Sequence, residues 1–128
     1  MWKKLYLVQD IVLSVLKANC PIDTGNLSKS INAHNEELYI TIGDEDVDYA
    51  HYTNESWDTF APPLKGHKNP NEGWIDRSLD IACPIIKQVL EGAITEEEAQ
   101  EIVNQNNAIY QARLDKKAEE KLEKMRTI

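Results

Sequence analysis

The chain has 128 residues, which is the length of one ordinary domain with a core of its own. Its 14 Lys and Arg against 22 Asp and Glu give a net charge of −8, which argues against a protein that grips nucleic acid or anionic lipid through a basic face. Two cysteines exclude a disulfide scaffold and favour a reducing compartment.

An amphipathic helix is predicted over residues 2–19. Asn19, Cys20 and Pro21 end it, because the residue before a proline is pushed out of the helical region. The stretch is too short and too often interrupted by polar residues to be a membrane span or a signal peptide, so we expect a cytosolic chain where it is made. Its apolar residues recur at helical spacing: Leu5, Val8, Val12 and Val15.

A small antiparallel meander is predicted for the middle of the chain, after a turn-rich segment at 22–31 that holds one or two helical turns. Residues 38–42 alternate apolar and polar, as do residues 47–52, and residues 30–34 supply a third strand. The prolines and glycines of residues 54–73 predict a long loop.

Two helices are predicted to follow the loop. The first begins near Trp74 and ends at Gly92, with a kink near residue 80 or a restart because Pro84 lies inside it. The second opens at Thr95, where Glu98 completes a capping box, and runs to about Met125. Its apolar stripe is thin, and the polar residues 104–107 interrupt it.

The expected fold class is therefore α+β. An N-terminal amphipathic helix and a closing helix pack on a small antiparallel sheet, followed by a long C-terminal helical extension. We expect a domain with the core at residues 1–91 and a C-terminal helical arm at 92–128.

Asp23-Thr24-Gly25 is the tripeptide of aspartic proteases, in which two aspartates share a proton between symmetric lobes. The surroundings do not suit a protease, since a helix and a proline precede the motif and no flap hairpin is evident. The structural interpretation is that Asp23 or Thr24 caps the next helical turn, while Gly25 fits a tight backbone.

Acidic residues at Asp44, Asp46, Asp48 and Glu55 match four positions of a calcium-binding loop, but Tyr49 stands where such a loop needs glycine. We therefore expect a solvated acidic turn. The histidines and cysteines have no metal-ligand spacing, and no catalytic pair or phosphate loop is evident, so no cofactor is expected. Cys20 and Cys83 each precede a proline and are expected to pack as small apolar groups.

A longer pattern, P-x-D-T-G-x-L-x-x-S-I, surrounds the tripeptide and directly follows the first helix. It resembles the small tail-component proteins of tailed bacteriophages, the family of tail completion, neck, head–tail joining and minor capsid proteins. Tyr49, Ala50 and Glu55 stand where that family has a Tyr-Ala strand followed by Glu. A proline loop, residues 61–63, then leads into the closing helix. The motif residues are Pro21, Asp23, Thr24, Gly25, Leu27, Ser30 and Ile31.

The resemblance covers roughly residues 1–91, and the chain departs from the family in three places. Ser56-Trp57-Asp58 replaces a glycine after the Glu, an insertion at 64–73 replaces a Pro-Phe-Leu entry to the last helix, and the helix from Thr95 has no family counterpart.

The resemblance implies a virion structural protein without catalysis, made in the host cytoplasm. It would be present as a ring of copies at the neck or tail end and would contact neighbouring neck, tail-tube or connector proteins, but no membrane. DNA would pass its lumen without specific binding, repelled by an acidic lining of residues 44–46 and Asp48. We expect the C-terminal arm to dock on a neighbouring subunit through Val103, Tyr110, Leu114, Leu122 and Met125.

Two other functions stay open at this point. One is a homodimeric aspartic protease that uses Asp23. The other is a generic protein-binding module, such as a toxin–antitoxin or regulatory partner.

Overall fold

Seven elements follow one another in the computed structural model, which describes residues 2–22, 25–47, 49–56 and 68–126. Among these residues the fold is α+β, mostly helical with one two-stranded antiparallel sheet. The elements are α1 (Trp2–Asn19), α2 (Asn26–Lys29), β1 (Asn32–His34), β2 (Tyr39–Thr41), a 3-10 turn η1 (Ala50–Thr53), α3 (Trp74–Leu90) and α4 (Glu96–Arg126).

Helix α1 is the centre of the fold, because α3, α4 and the β1–β2 hairpin all pack against it. In the hairpin, Asn32 pairs with Thr41, and His34 pairs with Tyr39. The side-chain amide of Gln9 on α1 donates to the backbone carbonyl groups of His34 and Tyr39, both at 3.2 Å. These two bonds fasten the hairpin to the helix.

Two apolar clusters form the core. One joins one face of α1 to α3 and α4, and it contains Leu7, Ile11, Val15, Ala82, Val89, Ala99 and Val103. The other lies around the end of α1 and the start of α3, and it contains Leu16, Cys20, Leu27, Ile31, Val47, Ala50 and Trp74. The predicted limit of the core at residue 91 is therefore wrong, since the first cluster includes α4 residues.

Helices α1 and α4 run parallel to each other. Lys3 near the start of α1 forms an ion pair with Glu96 at 3.1 Å, and Ser14 accepts a hydrogen bond from Asn106 at 3.2 Å. The carbonyl group of Ala18 near the end of α1 accepts from Arg113. Beyond Leu114 the helix continues past the end of α1, and we call residues 115–126 the distal arm.

The predicted helices are confirmed. Helix α1 has the predicted bounds, and α3 begins at Trp74. At the start of α4, Glu98 N–H donates to the Thr95 hydroxyl at 3.0 Å and Thr95 N–H donates to the Glu98 carboxylate at 3.2 Å, which is the predicted capping box. Helix α3 continues unbroken through Pro84, so the predicted restart is wrong. Because Pro84 has no N–H group, the carbonyl group one turn before it lacks its helical donor. Pro84 is exposed, so water can donate to that carbonyl group instead.

The strand predicted at residues 47–52 is wrong. Residues 50–53 form η1 instead, and the Thr53 hydroxyl donates to the Ala50 carbonyl group at 2.6 Å. Among the described side chains of this segment, Val47 and Ala50 are buried, a spacing of three residues that suits a 3-10 turn. The other two strands are present, in shorter form, as β1 and β2.

Candidate functional site

The motif segment links the end of α1 to the hairpin, and most of it is described. Gly25 has φ +87°, a left-handed conformation that L-residues with a side chain rarely adopt, and it directly precedes α2. The backbone N–H of Lys29 donates to the Gly25 carbonyl oxygen at 3.1 Å. The predicted tight backbone at Gly25 is confirmed, whereas Asp23 and Thr24 lie outside the described residues.

Four residues that follow Gly25 in the motif segment, Leu27, Ser28, Ser30 and Ile31, are buried within the chain. Leu27 and Ile31 belong to the second core cluster. The hydroxyl group of Ser28 donates to the Gly25 carbonyl oxygen at 3.0 Å and accepts from the Tyr110 hydroxyl at 2.9 Å. Because Tyr110 lies on α4, this contact joins the motif to the C-terminal helix.

Ser30 connects the motif to the acidic turn. Its hydroxyl donates to the Leu27 carbonyl group and accepts from the backbone N–H of Gly43 at 3.0 Å. In the turn, the Asp44 carboxylate accepts from the N–H groups of Asp46 at 2.9 Å and Val47 at 3.0 Å. Asp44 therefore shapes this exposed turn, while Asp48 lies outside the described residues.

A shallow open cavity of about 470 Å³ lies against the motif. The structure brings together here three of the predicted motif residues, Pro21, Gly25 and Leu27, with Tyr49. The other described lining residues are Ile22, Asn26, Thr53 and Asn71. None of these described lining residues is a carboxylate, an imidazole or a thiol, the groups that most often serve as general bases and metal ligands.

The second part of the predicted pattern is divided between core and surface. Ala50 is buried in the second cluster, and Tyr49 is exposed at the cavity. Glu55 is exposed, and its backbone carbonyl group accepts from the Asn69 side chain at 2.8 Å. The proline loop at residues 61–63 lies outside the described residues.

A polar junction around the start of α3 was not anticipated from the sequence. The buried Asn69 side chain donates to the carbonyl groups of Thr53 at 2.9 Å and Glu55, and the Trp74 indole N–H donates to the Thr53 hydroxyl at 2.8 Å. The side-chain oxygen of Asn54 accepts from the N–H of Ile75 at 2.9 Å. The only sequence signal was the richness of this loop in Asn and Thr, residues that bond to nearby backbone groups.

The five residues predicted to contact a neighbouring subunit fall into two groups. Val103 is buried in the chain's own core, Tyr110 is bonded to Ser28, and the Leu114 side chain approaches Gly25. For these three the prediction is corrected, because they pack within the chain. The other two, Leu122 and Met125, are exposed on the distal arm.

Two cationic side chains also hold the end of α1 to α4. Arg113 reaches the Ala18 carbonyl group, which is one of the last carbonyl groups of α1 and lacks a helical partner. The Lys17 ammonium lies 5.6 Å from the centre of the Tyr110 ring. Together with the Ser28 bond, these contacts fix the register of α4 on the motif.

The two cysteines differ in their surroundings. Cys20 is fully buried, and burial raises the pKa of its thiol to about 12, partly opposed by the charge of Arg113. At neutral pH it is an unreactive thiol that packs as a small apolar group, as predicted. Cys83 is exposed on α3, so the prediction that it is packed is wrong. Within the described ranges, no group of three His, Cys, Asp or Glu side chains is arranged to hold a metal ion.

We compared the chain with known protein families, curated proteins and solved structures, and it matches none of them. Among the described helices, none combines the length and the apolar character that a membrane span needs.

Proposed function

We propose that this chain is a non-enzymatic structural protein of a tailed bacteriophage virion. Several copies assemble at the neck or the tail end, where they complete the tail or join it to the head. The proposal starts from the resemblance of residues 21–31, and of Tyr49, Ala50 and Glu55, to the phage tail-component family.

The observation that carries the proposal is how the described motif residues are used. Gly25 sets a left-handed turn, Leu27 and Ile31 fill the core, and the hydroxyl groups of Ser28 and Ser30 are bonded inside the chain. A motif that serves catalysis would present reactive groups in a cleft. This pattern instead supports a motif that holds helices and hairpin in a fixed arrangement, as an assembly component requires.

The test is to find the protein in purified particles of the phage that encodes it. We expect mass spectrometry to detect it at several copies per particle, and a symmetric reconstruction to locate it at the head–tail junction or the tail end. Particles complete in head, neck and tail but lacking the protein would overturn the proposal.

A variant separates this function from the protease alternative. Asp23→Asn removes the carboxylate that an aspartic protease requires, so we expect particle yield and the processing of all particle proteins to be unchanged. Ser30→Ala is the matched control in the same motif, since it leaves Asp23 intact. An uncleaved particle protein that appears only with Asp23→Asn would favour the protease.

The acidic turn predicts how each subunit is oriented in the ring. Glu45 and Asp46 are exposed, and a lumen lined by such carboxylates would repel passing DNA. We therefore expect residues 44–46 to face the channel in the reconstruction. Their placement on the outer wall of the ring would remove this part of the proposal.

A further inference from the structure

An apolar groove lies between α1 and the hairpin, away from the cavity at the motif. It encloses about 310 Å³, and apolar side chains dominate its walls. Each of those side chains is only half-buried, so the isolated chain leaves this surface partly in water. The apolar lining residues are Leu5, Val8, Val12, Leu38 and Ile40.

The one polar lining residue carries an unsatisfied atom. Gln9 is buried and uses its amide N–H groups on the hairpin, but its side-chain carbonyl oxygen has no hydrogen-bond partner among the described residues. Buried acceptors normally have a partner, so among the described residues this oxygen is an exception in the wall of the groove.

The distal arm has the complementary character. Leu122 is 55% exposed and Met125 is 73% exposed, and the two lie one helical turn apart on the same side of α4. Lys121 lies four residues before Met125, and Arg126 lies four residues after Leu122, so each cation is one helical turn from a member of this pair. The Leu122–Met125 patch therefore has a basic residue at each end.

The hairpin end of the groove has the opposite charge. Glu36 and Glu37 are exposed at the tip of the hairpin, directly before the groove residue Leu38. The apolar Leu122–Met125 patch with its two cations thus matches the hairpin end of the groove, where apolar side chains lie beside two carboxylates.

The arm cannot reach the groove of its own chain. Asn106 of α4 lies level with Ser14 of α1, and the groove residues of α1 come before Ser14. Since the helices run parallel, Leu122 lies 16 residues farther on, or about 24 Å beyond that level at 1.5 Å per residue.

We infer that the distal arm of one copy docks in the groove of a second copy. This inference rests on the proposed function, for which it supplies the contact between neighbouring subunits. Because the arm and the groove are different surfaces at opposite ends of α1, the contact is head-to-tail, and it generates a closed ring or an open filament according to the rotation between copies.

Mixing two defective variants of the full chain tests this arrangement. Leu122→Glu with Met125→Glu disables the arm, and Leu5→Glu with Val8→Ser disables the groove. We expect wild-type chains to form assemblies larger than dimers by light scattering, each variant alone to be monomeric, and an equimolar mixture to form a heterodimer that grows no further.

Surface charges provide a second test that leaves the apolar packing intact. Glu36→Lys with Glu37→Lys, or Lys121→Glu with Arg126→Glu, should each weaken assembly, and one chain carrying all four substitutions should regain it. Ile109→Glu is the matched control, because Ile109 is 50% exposed on the part of α4 that lies beside α1, and its assembly should equal that of wild type.

Three results would overturn the inference: a monomeric wild type, a mixture that stays monomeric while both variants keep their helical circular dichroism, or a wild type that stops at a dimer. The proposed function is judged separately, by the presence of the protein in particles. Particles that contain the protein with both surfaces disabled would refute the docking and leave the function standing. Assembly of pure protein that is absent from particles would do the reverse.

Discussion

The two parts of helix α4 share one unbroken helix but differ in what supports them. From Glu96 to Leu114 the helix lies along α1, with Ala99 and Val103 in the core and with Tyr110 and Arg113 bonded to the body. Along the distal arm, every described residue is exposed.

The difference shows that helix formation and burial are separate matters in this chain. Short helices are marginal alone because nucleation is costly, but adding a residue to an existing helix is cheap. The packed first part supplies the nucleus, and charged pairs such as Lys117–Glu120 at 3.7 Å support the arm only weakly. The distal arm therefore stays helical, with its apolar residues exposed, at little cost in free energy.

The largest expected effect sharpens this contrast between the packed part and the arm. Ile11 is completely buried where α1 meets α3 and α4, so Ile11→Ala should lower the free energy of unfolding by about 2–5 kcal/mol. Leu122→Ala on the arm should change it by less than about 0.5 kcal/mol. Urea titration measures both, and equal effects would mean that the arm is packed on its own chain.

A smaller effect tests how the motif supports the packed part of α4. A Cβ atom at Gly25 would stand 3.5 Å from the Leu114 side chain, an ordinary contact, so only the backbone strain at φ +87° should count. We expect Gly25→Ala to cost about 1–2 kcal/mol. Gly92→Ala is the matched control, with φ +75° and open space around it. A much greater cost at Gly25, measured by thermal unfolding, would reveal tighter packing of Leu114.

The hydrogen bond between Tyr110 and Ser28 should contribute less. Tyr110→Phe removes it and leaves the Ser28 hydroxyl with its bond to Gly25, so we expect a loss of about 1 kcal/mol. A double-mutant cycle with Ser28→Ala isolates the coupling. Strict additivity of the two changes would show that this contact does not hold α4 on the motif.

The smallest expected effect depends on pH and concerns Asp10 of α1, which lines a shallow pocket together with Glu96 and Glu97 at the start of α4. Burial raises the pKa of Asp10 above its ordinary value of 3.8, so the folded chain binds the proton more readily than the unfolded chain. Stability from this group therefore falls as the pH rises above 3.8 and stays lower at neutral pH. Asp10→Asn should gain less than about 0.5 kcal/mol at pH 7, because solvent screens this partly exposed group, and nothing at pH 3. Urea unfolding curves of the wild type and of Asp10→Asn at pH 3 and pH 7 measure this difference. A lower stability of Asp10→Asn at pH 7 would contradict the prediction.

The sequence predicted the helices well because their signals are local. Helical spacing from Leu5 to Val15, the proline after α1, and the Thr95–Glu98 box each lie within a few turns of what they determine. The alternation at residues 47–52 misled, because the Thr53 hydroxyl favours a turn over an extended strand.

The candidate site was predictable only as a list of residues. Gly25 and Leu27 could be named from the motif, but the bond between Ser28 and Tyr110 spans 82 residues, and no local pattern contains such a contact. The thin apolar stripe on α4 predicts an arm along the whole helix. Val103 is buried because α1 offers a second apolar face, a fact that depends on how the helices pack and not on α4 itself.

Because the first and last helices pack together, α1 has to wait during synthesis until α4 has been made. Ser14 and its partner Asn106 are 92 residues apart, so at 5–20 residues per second the face of α1 that carries Ile11 waits about 5–20 s for α4 to be synthesised. During that interval its apolar surface is open to chaperones and to other nascent chains. Copies translated from one message would therefore meet while still unfinished.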